Sequence, residues 1–146
     1  MRDTDKRYYL DTNILVFTLL SIDMDENIDL NIKKILDDVE CIFYTSSIAI
    51  FELLHLIKLG KLRKSKKKDI DIDIFAALEA SGIKIIPVNE KHFAVYLKLQ
   101  ILEGHKDPFD HMIIAQSISD KIPIISSDSK FPFYENQGLQ FVFNKR

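Results

Sequence analysis

Paired cysteines are missing from this sequence. Of its 146 residues only Cys41 is a cysteine, which excludes an internal disulfide and a zinc site built on paired thiolates, and fits a reducing cytosol. Cys41 itself reads as a buried strand residue. Long hydrophobic runs are also missing. The most apolar region, residues 48–59, falls short of the roughly 20 residues of a membrane helix and is interrupted by Glu52, His55 and Lys58. The start, Met1-Arg2-Asp3-Thr4-Asp5-Lys6-Arg7, has no apolar stretch behind its basic residues, so no secretory signal is expected. These absences predict a soluble, cytoplasmic protein with no membrane contact. There is no internal repeat and no Pro/Ser-rich linker. Glycine is scarce, and Gly60, Gly82 and Gly104 each fall at the end of a helical pattern, where a left-handed residue is needed.

What is present is the balance of a folded domain, 47% hydrophobic and 29% charged. The length suits a single domain, residues 1–146, with one core. The net charge of −2 conceals an uneven distribution: residues 1–40 hold ten Asp/Glu against five Lys/Arg, whereas residues 58–68 hold seven Lys/Arg and no acid. Within that run, Lys66, Lys67 and Lys68 are candidates for gripping phosphates; a solvated surface face is the plainer reading.

Short apolar runs alternate with longer segments of helical period, the pattern of an α/β protein with a mostly parallel sheet covered by helices. The predicted strands are 8–10, 41–45, 84–88, 123–126 and 139–143, about five in all. The predicted helices are 13–20, 27–39, 47–59, 69–81, 91–103 and 108–120. Asp107-Pro108 reads as an N-cap followed by proline at the first helical position, with Asp110 in the first turn.

Four carboxylates lie beside apolar sequence that should be buried: Asp11 in Leu10-Asp11-Thr12-Asn13, Glu52 in Ile50-Phe51-Glu52-Leu53, Asp110 in Asp107-Pro108-Phe109-Asp110-His111, and Asp128 in Ser126-Ser127-Asp128. A buried charge is costly unless paired. Two carboxylates about 4 Å apart repel by roughly 4 kcal/mol at an effective dielectric near 20, so a cluster of four would protonate or bind a cation. Asp11 and Asp128 follow predicted strands, while Glu52 and Asp110 are placed in first turns of helices. In a parallel sheet all four can meet beyond the carboxyl edge, where ligands bind. Oxygen donors without cysteine or a spaced histidine pair select Mg²⁺ or Mn²⁺. Such an ion suits phosphodiester hydrolysis.

Leu10-Asp11-Thr12-Asn13, the embedded Glu52, the segment from His105 to Gln116 and Ile125-Ser126-Ser127-Asp128 together resemble the successive motifs of PIN-domain ribonucleases. The Asp-Pro-Phe-Asp version with its Ile-Ala-Gln helix is most similar to VapC-type toxins of bacterial toxin–antitoxin pairs. The resemblance runs from Tyr8 to about Phe143. It implies a three-layer α/β/α sandwich, a metal-binding and catalytic quartet of Asp11, Glu52, Asp110 and Asp128, and Ser126 as the hydroxyl residue beside it. It also implies an RNA substrate such as a tRNA or rRNA stem-loop, a cognate antitoxin and a homodimer. The family pattern often has arginine where His111 stands and usually threonine at Ser126. Neither change removes a carboxylate; both bear on RNA and partner contacts.

Taken singly, most of these residues have plainer explanations. Asp11 and Asp107 would serve as N-caps, and for Asp107 that explanation suffices, which leaves it outside the expected site. Asp128 would serve as a turn residue. Glu52 with His55 resembles half of a di-iron bundle site, but no second copy exists. His92, His105 and His111 lack metal-ligand spacing and read as helix or loop residues. Two competing functions remain: a non-catalytic RNA- or partner-binding module, and an aspartyl-phosphate phosphatase using Asp11. The phosphatase class wants a second Asp where Asn13 stands.

Overall fold

Each of the six α-helices set out below begins on a short polar side chain that accepts a hydrogen bond from an otherwise unpaired N–H of the first turn. The computed structural model describes residues 6–20, 27–65, 68–69 and 73–145. Strand β1 (Arg7–Leu10) leads into α1 (Thr12–Leu19), capped by Asp11. Helix α2 (Leu30–Asp37) is capped by Asp29 and leads to β2 (Ile42–Ser46), whose last residue caps α3 (Ser47–Lys58). A hairpin of β3 (Arg63–Ser65) and β4 (Lys68–Asp69) precedes α4 (Ile74–Ser81), capped by Asp73. Strand β5 (Lys84–Ile86) is followed by α5 (Glu90–Lys98), capped by Asn89, and α6 (Pro108–Asp120), capped by Asp107. Strand β6 (Ile124–Ser126), a 3₁₀ helix (Phe131–Gln137) and β7 (Phe141–Phe143) complete the order.

The five-stranded sheet has the order β5-β2-β1-β6-β7, with every pairing parallel. The chain starts in the middle, moves outward through β2 to β5, then returns to the other side of β1, so strand order reverses between β1 and β6. Leu10 pairs with Ile125 across that junction. Tyr9, Leu10, Ile124 and Ile125 are all buried, as central parallel strands covered on both faces must be. Helix α6 is buried from His111 to Ser117, so it packs as an internal helix rather than an amphipathic one; it contacts both α3 and α5. The architecture is the three-layer α/β/α sandwich. No described helix is long and apolar enough to cross a membrane.

Several boundaries differ from expectation for identifiable reasons. The helix expected over 69–81 starts at Ile74, because Asp69 pairs in the hairpin and Asp73 caps. The helix expected over 91–103 stops at Lys98, where the Gln137 side chain pairs with both backbone groups of Gln100, its Oε1 accepting from the N–H and its Nε2 donating to the carbonyl, each at 2.9 Å. Gly104 therefore lies in a turn beyond the helix. Strand β5 ends before Pro87, which has no N–H to give to a ladder. Cys41 precedes β2 and is half-buried. Of the lysine candidates, Lys68 falls in β4; Lys66 and Lys67 lie outside the described residues.

At the far end of α6, Asp120 accepts hydrogen bonds from the Tyr9 hydroxyl and from His92 Nε2, the latter at 2.9 Å. His92 Nδ1 in turn accepts the Asn89 N–H, closing a capping box. Burial, then the Asp120 carboxylate, pushes the Tyr9 phenol far up. This network explains His92 structurally.

Candidate metal centre

The carboxyl edge of the sheet at the β1/β6 reversal is where this topology leaves a crevice. The Asp11 N–H donates to the Ile125 carbonyl at 3.0 Å, so the ladder continues one residue past β1 and aims the Asp11 side chain into that crevice. Asp11 is 3% exposed. Its Oδ1 accepts the Thr12 N–H at 2.8 Å; its Oδ2 accepts the Ser126 hydroxyl at 2.6 Å and Asn13 Nδ2 at 3.2 Å. It both caps α1 and lines the cleft, so the cap explanation and a place in the cleft are compatible.

The other segments converge on the same cleft, whose volume is about 390 Å³. Glu52, Asp110 and Asp128 line it with Asp11, and so does Asp107. Glu52 lies in the second turn of α3, not the first; its Oε1 accepts the Thr12 hydroxyl at 2.5 Å. Asp128 accepts the Lys130 N–H on Oδ1 at 2.8 Å, and its own N–H donates to Ser126 Oγ at 3.0 Å. The opposite wall is apolar: Val16, Phe17, Leu56 and Leu62. Since Leu62 lines the cleft and Arg63 begins β3, the basic hairpin leaves from its rim.

Asp107 and His105 change the expected inventory. Asp107 caps α6, its Oδ1 accepting the Phe109 N–H at 2.9 Å, yet its charge also faces the cleft. His105 is buried, with Nε2 3.1 Å from Asp110 Oδ2. One donor atom each from His105, Asp110 and Asp128 lies within 4.8 Å of the others. Asp11 and Glu52 share the cleft but stand outside that tight group. His111, at the position where the family pattern often has arginine, is buried and turned inward, its Nε2 2.8 Å from the His105 carbonyl, so it braces this loop. His55 is exposed and stacks on Phe51.

The charges are not balanced. Among the described residues, no Lys or Arg lines the cleft. Burial, against the Ser126 and Thr12 donors, pushes Asp11 up to about 7, with Glu52 and Asp128 adding repulsion. Asp110 also lies well above the usual carboxylate range, through burial and then the charges of Asp11, Asp107, Asp128 and Glu52. Glu52 is raised by burial, despite the Thr12 hydrogen bond, and by Asp107. Burial and then the neighbouring His111 push the His105 imidazole down, against the charges of Asp128 and Asp107. A carboxylate-rich cleft held at this cost has a donor set that fits a hard divalent cation, which would supply the missing positive charge.

The PIN domain family model matches residues 8–136. No curated relative matches at the sequence level. Among solved structures, the chain is similar to VapBC2 from Rickettsia felis bound to a promoter DNA fragment, at 23% identity and a TM-score of 0.62, covering 94% of this chain and 98% of that one. It is similar also to DNA-bound VapBC from Salmonella typhimurium, at 16% identity and a TM-score of 0.62, covering 94% and 97%. A toxin-antitoxin complex from Klebsiella pneumoniae is similar at 17% identity and a TM-score of 0.60, covering 95% and 98%. At these identities the likeness is one of fold. The family match, over nearly the whole sequence and all four carboxylate-bearing segments, is stronger: the chain belongs to the PIN domain family.

Proposed function

We propose that the protein is a divalent-metal-dependent endoribonuclease, the VapC-type toxin of a toxin–antitoxin pair, acting in the cytoplasm as a single-domain chain. The observation behind this reading is the cleft at the strand-order reversal, where five acids converge and, among the described residues, no Lys or Arg joins them. Asp11, Glu52, Asp110 and Asp128 would hold Mg²⁺ or Mn²⁺. When bound, such an ion supplies Lewis acidity, lowering the pKa of water and neutralising charge on phosphoryl oxygens. The chain's own residues set the stage. Ser126 and Asn13 fix Asp11 Oδ2, and Thr12 fixes Glu52 Oε1, so the acceptors keep their direction without substrate. Asn13 on Asp11 is a bracing amide where a phosphatase would need its second acid, which disfavours that alternative.

The substrate in this reading is RNA, with Lys66, Lys67 and Lys68 gripping backbone phosphates. A stem-loop such as a tRNA or rRNA element suits an enzyme that needs accessible single-stranded backbone. The partner is an antitoxin, as in the toxin–antitoxin pairs of similar fold, and the toxin is a homodimer. A guanidinium can bridge two carboxylates and take the place of the ion. The inhibitor should therefore present an arginine to Asp11, Glu52, Asp110 and Asp128. Co-expression with an adjacent small gene product should yield a complex inactive on RNA, and substituting that arginine should restore cleavage. Expression without toxicity, as a lone monomer with no copurifying partner, would sink the toxin assignment.

A further inference from the structure

The loop after α5 and the 3₁₀ helix after β6 are joined by one buried hydroxyl. Tyr134 is fully buried, and its phenol oxygen accepts the Leu102 N–H at 3.0 Å. The same oxygen lies 2.7 Å from His105 Nδ1. A phenol has one proton to give, and a buried one needs an acceptor. Among the described residues, Nδ1 is the acceptor within reach. Nδ1 therefore carries a lone pair and Nε2 the proton, which points at Asp110 Oδ2, 3.1 Å away. The His105 backbone is held too, since His111 Nε2 donates to its carbonyl at 2.8 Å.

From this chain of hydrogen bonds we infer that His105 is a positioning residue for the candidate metal centre: Tyr134 fixes its tautomer, and its Nε2–H holds the Asp110 carboxylate aimed toward Asp128. Tyr134 and Asp128 belong to one braced piece of chain. The Asp128 carbonyl accepts the Phe131 N–H, and its side chain accepts the Lys130 N–H, at the start of the 3₁₀ helix. The relay thus ties Asp110 on α6 to the segment that carries Asp128, setting the gap between two proposed ligands. With its Nε2 protonated, His105 orients a ligand and is not one itself. Such outer partners typically change metal affinity by about ten- to a hundredfold when removed.

The inference rests on the metal reading of the same cleft, and the test separates the two. In the metal-free full chain, ¹⁵N NMR of the His105 ring should show Nδ1 as acceptor and Nε2 protonated, and Mg²⁺ should leave that pattern unchanged. By calorimetry, His105→Leu and Tyr134→Phe should each weaken Mn²⁺ binding at least about tenfold. His105→Gln, whose amide can donate in place of Nε2–H, should recover much of it. His92→Gln, in the remote network, should cost stability without changing Mn²⁺ affinity. A parent that binds no Mn²⁺ overturns the metal reading itself. If the parent binds and the His105 and Tyr134 variants bind equally well, or if Nε2 loses its proton on Mg²⁺ addition, the positioning role is wrong.

Discussion

Asp11 does two things with one side chain, and the cost of the second is visible in the first. It caps α1 through Thr12 and is braced by Ser126, yet burial beside Glu52 and Asp128 still raises its proton affinity. Replacing Asp11 or Asp110 by Asn keeps the shape and removes the repulsion. Each variant should abolish RNA cleavage while raising metal-free stability by roughly 1–3 kcal/mol, measured by thermal denaturation in chelator with helical content checked by circular dichroism. That the four carboxylates line one cleft is legible in the sequence, because an acid beside apolar residues demands a partner. Asp107 is not, since an N-cap before proline already explains it. His105 escapes notice because its partners lie 5 and 29 residues away, whereas ligand histidines betray themselves by close spacing.

Elements with a clear period are readable: the central strands are continuous apolar runs, and α6 starts at Asp107-Pro108 as its composition says. The β3–β4 hairpin is not, because a lysine-rich stretch has no alternation to betray a strand. The 3₁₀ helix over Phe131–Gln137 is too short to show a period, yet it supplies both Tyr134 and the Gln137 that ends α5. The proposed grip of the basic run on RNA is tested by its charge. Reversing charge at Lys66, Lys67 and Lys68 should weaken RNA binding and flatten its salt dependence by roughly 0.7 in logarithmic slope for each phosphate no longer neutralised. Base preference should barely change. A slope equal to the parent's would assign the run to solvent or to a protein interface.

Across the whole molecule, the acidic cleft makes the metal-free fold sensitive to pH. The folded chain holds a proton on Asp11 up to about 7, against 3.8 ordinarily, so between those values it binds more protons than the unfolded chain. Stability must therefore fall as pH rises through that window, and the penalty is fully present above it. In chelator, the melting temperature should be higher near about pH 5.5 than near about pH 8; Mn²⁺ should raise the value at about pH 8 more, since metal and proton compete for the same oxygens. A flat profile, insensitive to Mn²⁺, would mean the carboxylates are solvated rather than crowded. The reversal of strand order that creates the cleft follows from neither composition nor period. It is a property of the sheet order β5-β2-β1-β6-β7, and pairing between distant strands leaves no local mark in sequence.

The measurement closest to the central claim is the rate at which the purified chain cleaves an RNA oligonucleotide in chelator and with added Mn²⁺, alongside its Asp110→Asn variant. Cleavage by the parent in Mn²⁺ alone is the predicted result; equal cleavage in chelator, or by the variant, would contradict a carboxylate-held metal as the source of activity.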